Sequence, residues 1–110
     1  MTGTIQGGTA QILTYTGPAL ALSYSNSQSL TIACRSHAVY IAYSEGGLQS
    51  DSSRFKLQKL NDSSAEGPDG MTLTFNTPSS GTLYFASASN TNTAQVYLWS
   101  VDCGKKVGAY

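Results

Sequence analysis

Charge is what this chain most lacks. Asp, Glu, Lys and Arg make up 11% of its 110 residues, and the six basic residues balance the six acidic ones. An ordinary globular domain carries about 25% charged residues. A chain without net charge sets up no field that would gather it on nucleic acid or on an anionic membrane, so neither is expected as a partner. Neutrality also removes the repulsion that keeps small domains apart, which suits a protein living inside an assembly. Histidine occurs once, at His37, and no nucleophile-elbow motif accompanies it. The usual material of a hydrolase triad is therefore missing, and His37 reads as a solvated turn residue. The two cysteines, Cys34 and Cys103, have no CxxC or Cys/His spacing, which sets a zinc site aside. A bridge between them would close a loop of about 70 residues, whereas synthesis in a reducing compartment favours two thiols. Long apolar runs are also absent. None approaches the roughly 18 residues of a membrane span, and the opening MTGTIQGGTAQ has neither the basic nor the apolar region of a signal peptide, so synthesis in the cytoplasm is expected.

What the chain does have is short alternating or β-branched runs, each bounded by Gly, Pro, Ser or Asn. They are AQILTY (10–15), ALALSY (19–24), SLTIAC (29–34), HAVYIAY (37–43), RFKLQKL (54–60), MTLTFN (71–76), GTLYFAS (81–87) and AQVYLWSVDC (94–103). Only ALAL and RFKLQKL could be read as helical, and neither is long enough or capped well enough to displace a strand. The pattern predicts an all-β fold, an antiparallel β-sandwich or jelly roll of about eight strands. Leu30, Ile32, Val39, Ile41, Phe55, Leu57, Met71, Leu73, Phe75, Leu83 and Phe85 would face inward. Residues 1–9, rich in Gly and Thr with Ile5 as the one branched apolar side chain, read as a flexible arm ahead of a single domain spanning 10–110.

Chemistry is harder to find. Glu45 and Asp51 lie in one polar loop, and Asp62, Glu66 and Asp69 in another. A glycosidase needs two carboxyl groups at a fixed separation on a supported cleft, and the loop pattern that holds calcium is missing. The chain is read as a non-enzyme, with no cofactor and no metal.

The most informative stretch is AQVYLWSV, residues 94–101. As a strand it would send Val96 and Leu98 one way and Tyr97, Trp99 and Val101 the other, so it is apolar on both faces. Three coverings of the second face are open. The chain's own loops could cover it. A protein partner could, since interfaces are rich in Tyr and Trp and poor in charge, with Tyr97, Trp99, Val101 and the arm residues Thr2, Thr4 and Ile5 as contacts. Exposed rings could also hold a glycan, helped by Asp69, Asn90 and Asn92.

The segment SLTIACRSHAVYIAYSEGGLQSDSSRFKLQKL followed by GMTLTFNTPSSGTLYFASAS resembles small structural proteins of tailed-phage virions. The shared features are a strand pair around VYIAYS, a polar loop, a strand near FKL and the GTLYF strand. That resemblance implies a jelly-roll or β-sandwich protein on the outside of a bacteriophage capsid, a decoration or cement protein without catalytic activity. Its implied partners are the major capsid protein and copies of itself, with a trimer favoured. The alternative is a carbohydrate- or receptor-binding module of a fibre or tail.

Overall fold

The computed structural model describes residues 1–57, 70–88 and 93–102, apart from the side chains of Pro78 and Asp102. Strands account for most of it: β1 (Thr2–Gln6), β2 (Ala10–Thr16), β3 (Leu20–Cys34), β4 (Val39–Ala42), β5 (Arg54–Leu57), β6 (Gly70–Ser87) and β7 (Thr93–Asp102), with one 3-10 turn, Gly46–Gln49. They form a single seven-stranded sheet in the order β2-β7-β3-β6-β4-β5, with β1 paired to β3. The fold is all-β and antiparallel, except that β1 runs parallel to β3.

Two long strands explain how one sheet makes a sandwich. The first half of β3 pairs with β1 and with the end of β6, while its second half pairs with β7 and with the start of β6. Register shifts at Ser27 separate the halves, and Asn26 adopts φ 52° there. Asparagine tolerates this left-handed conformation, and a bulge of this kind bends a strand. Opposite it, Ser27 pairs with Ser79 and Ser29 with Thr74, so β6 carries extra residues through the same corner. The chain thus folds into a half made of β1, β3, β6, β4 and β5 and a half made of β2, β7, β3 and β6. Four of the eight runs expected from sequence are merged in this way, because the polar segments YSNSQS and FNTPSS mark bends inside strands rather than turns between them.

The two halves bury Leu20, Leu22, Val39, Ile41, Leu57, Leu83 and Phe85 against Tyr15, Leu30, Ile32, Val96 and Leu98. Full burial of one such aliphatic or Phe side chain stabilises by roughly 1.5 to 3 kcal/mol, so this cluster is the main source of stability. Three expectations need correction. Phe55 is 61% exposed, because β5 lies at the edge of the described sheet, with β4 as its one partner among the described residues, and Phe55 stands near its start. Met71, Leu73 and Phe75 pack against the core only half-buried, on the stretch of β6 whose described neighbour is β3. Residues 2–6 are not an arm apart from the domain. They are strand β1, whose Ile5 enters the core at 3% exposure, so Ile5 is no surface contact, while Thr2 and Thr4 remain exposed.

Candidate functional site

Strand β7 answers the question its sequence raises. Alternation sends Ala94, Val96, Leu98 and Ser100 into the sandwich, where all four are buried. The opposite set stays in solvent: Tyr97 is 47% exposed, Trp99 63% and Val101 46%. Neighbouring strands extend this outer face. Ala10 of β2 is the register partner of Trp99, and Ile12, itself 47% exposed, is the partner of Tyr97. On the other side Thr31 of β3 is level with Trp99 and Ala33 with Tyr97. Together with Gln11 and Leu98 these residues, Val101 excepted, line a shallow apolar groove of about 660 Å³.

The few polar groups at this groove are already engaged. The Gln11 side-chain amide donates to the Thr4 carbonyl at 2.7 Å. The Thr31 and Thr72 hydroxyls share a hydrogen bond of 2.9 Å. Beside them the Gln95 amide donates to the Thr14 hydroxyl at 2.9 Å. Arg35, at the end of β3, lies over the Tyr97 ring, its guanidinium carbon 5.7 Å from the centroid. What the face offers a ligand is therefore apolar area and aromatic edges, with little directional polarity left over. A sugar is recognised largely through hydrogen bonds and would find few such groups here, whereas the apolar core of a protein interface needs few of them.

A second exposed pair, Tyr43 at 71% and Phe55 at 61%, flanks a more polar depression of about 560 Å³ with Ser44, Asp51, Ser52, Ser53 and Arg54. Arg54 stacks over Tyr40 at 3.7 Å, donates to the Leu48 carbonyl and pairs with Asp51.

Of the residues singled out from sequence, Tyr97, Trp99 and Val101 come together on one surface. Thr2 and Thr4 are exposed on β1, and Ile5 is internal. Asp69, Asn90 and Asn92 lie outside the described residues, as do Asp62, Glu66 and Cys103. The Cys34 thiol donates to the Leu57 carbonyl at 3.4 Å. His37 is exposed between β3 and β4. Among the described residues no group of three or more His, Cys, Asp or Glu could hold a metal ion. Sequence reasoning missed Ile12, yet the signal was present: in AQILTY, Ile12 adjoins Leu13, which gives that strand two apolar faces as well.

No protein-family model matches the chain, and no curated protein is similar to it in sequence. Among solved structures it is similar to the pre-peptidase C-terminal domain of a collagenase from Bacillus anthracis. That likeness has 11% sequence identity and a TM-score of 0.49, and covers 91% of this chain and 94% of the other.

Proposed function

We propose that this protein is a non-enzymatic structural module that docks on other proteins through the outer face of β2, β7 and β3, and that its setting is a virion shell, where it serves as a decoration or cement protein. The supporting observation is the solvent-facing row Tyr97, Trp99 and Val101, flanked by Ile12 and small side chains whose polar groups are satisfied within the chain. Aromatic enrichment without charge is the composition of an interface core. The virion setting comes from the resemblance of residues 29–60 and 70–89 to tailed-phage structural proteins, and low charge agrees with a surface consumed by neighbours.

A cement protein needs no chemistry. It binds the assembled shell in preference to free subunits, and that preference alone stabilises the shell by mass action. The joint it covers must bury at least about 1,200 Å² for a specific contact.

The test is co-sedimentation with shells assembled from the major capsid protein encoded alongside this chain. Wild type is expected to pellet with the shells and Trp99→Asp to lose at least tenfold in affinity. Equal binding by both, or binding by neither, overturns the proposal. A glycan-binding role, which the exposed rings of Tyr97 and Trp99 favour, would instead appear as a shift of Trp99 fluorescence across a panel of soluble glycans.

A further inference from the structure

We propose that one occupant of this face is a second copy of the same chain, seated about a two-fold axis that runs along the strands between β7 and β3. This rests on the docking role assigned to the face above and adds the identity of a partner. Register sets three rows across the surface. Val101 lies beside Ser29, with Thr74 beyond. Trp99 lies between Ala10 and Thr31, with Thr72 beyond. Tyr97 lies between Ile12 and Ala33, with Gly70 beyond. The large side chains form a ridge along β7, and the small ones form a trough along β3 and β6.

A half-turn about an axis parallel to the strands, midway between ridge and trough, keeps each row at its own height and exchanges left with right. Trp99 of each copy then stands over Thr31 of the other, Tyr97 over Ala33 and Val101 over Ser29. The surface is complementary to itself under that one operation. A two-fold axis across the strands would set ridge on ridge, and a three-fold ring needs two different patches rather than one. Aligned sheets packed face to face sit about 10 Å apart, a gap that side chains of this size fill.

Area and charge agree with this occupant. At the exposures of Ile12, Tyr97, Trp99 and Val101, these four side chains offer roughly 300 to 500 Å² per copy, given 150 to 250 Å² for a large aromatic. The trough residues add to this, which brings the pair toward the lower bound of about 1,200 Å² for a specific interface. The three rows contain no ionisable side chain other than the Tyr97 phenol, and the Arg35 guanidinium beside them lies over the Tyr97 ring. The second apolar pair, Tyr43 after β4 and Phe55 on β5, lies outside this face and stays exposed when two copies pair through it.

The experiment is light scattering coupled to size exclusion under reducing conditions, from micromolar to hundreds of micromolar protein. Wild type is expected to reach twice the chain mass of 11.6 kDa. Trp99→Asp on the ridge and Thr31→Lys in the trough should each return it to the chain mass with unchanged far-UV circular dichroism, while Tyr43→Ser stays dimeric. A wild type that is monomeric at every concentration, a trimer, or a dimer that survives both substitutions overturns the pairing. If wild type is monomeric but Trp99→Asp still abolishes shell binding, self-pairing fails and the docking role stands. If shell binding is also indifferent to Trp99, both fall.

Discussion

Ser27 and Ser100 meet inside the sandwich, their hydroxyl oxygens 2.6 Å apart and both side chains fully buried. Ser27 also donates to the Ser25 carbonyl at 3.2 Å, so Ser100 is the donor between the two hydroxyls. The pair satisfies two polar groups at the bend of β3, where the ladder is interrupted. Ser27→Ala would strand the Ser100 hydroxyl in the core, and a loss of about 1 to 3 kcal/mol is expected. The double replacement Ser27→Ala with Ser100→Ala should be less harmful than the sum of the single ones. Urea unfolding of all four proteins measures the difference, and additive losses would mean that the two hydroxyls do not act as a pair.

Tyr15 carries the opposite condition. Its ring is fully buried and its hydroxyl has no hydrogen-bond partner among the described residues. Burial, with a smaller contribution from the charge of Cys34, pushes the phenol well above its ordinary range. Tyr15→Phe removes an unsatisfied group while keeping the ring, so it should raise stability by about 1 kcal/mol. The pH dependence follows from the same burial. Below about pH 10 the phenol is protonated in both states, and its contribution is constant. Above that the unfolded chain releases a proton the native chain retains, so stability falls as pH rises through the interval between the two values. Thermal unfolding between about pH 9 and about pH 11 should therefore decline more steeply for wild type than for Tyr15→Phe. Parallel declines would refute the burial argument.

Gly81 is the register partner of Tyr24, and the Tyr24 ring lies across it, stacked on Phe75 with centroids 5.5 Å apart. A Cβ at position 81 would stand 2.6 Å from the Tyr24 hydroxyl oxygen and 2.9 Å from the ring carbon that bears it. The ring cannot move aside without breaking its stack. Gly81→Ala is expected to cost about 1 to 3 kcal/mol through overpacking. Adding Tyr24→Val should recover part of that loss, as chemical denaturation of the single and double variants will show.

Much of this fold was legible because alternation is a strong signal where one face is buried. Leu30 with Ile32, Val39 with Ile41, and Leu83 with Phe85 all lie inside as their spacing requires. The double-faced pattern of β7 likewise marks Tyr97, Trp99 and Val101 as the outward set, and all three are exposed. What local pattern cannot carry is the neighbour of a strand. Phe55 shares the inward phase of Leu57, yet β5 is an edge, so phase alone misplaced it. The first residues read as an arm because Gly, Thr and Gln promise little burial, but one side chain, Ile5, and a ladder from Thr2 to Gln6 along β3 suffice to place them. Ser27 and Asn26 look like a turn, and only the long-range register of β3 with β6 and β7 reveals a bend within a continuous strand.

Strand β2 has one neighbour among the described strands, and that neighbour is β7: Ala10 sits level with Trp99, and Thr16 with Thr93. A segment near the start of the chain therefore has no place to go until a segment near residue 100 has been made. During synthesis Ile12, Leu13 and Tyr15 must wait unpaired while the ribosome completes β3 to β6, and pairing across so large a separation is slow. The last of the described strands both closes the core, with Val96 and Leu98, and creates the Tyr97 and Trp99 surface. Closure of the described core and appearance of the Tyr97 and Trp99 face are one event, so a chain cut short before β7 lacks the face proposed for docking.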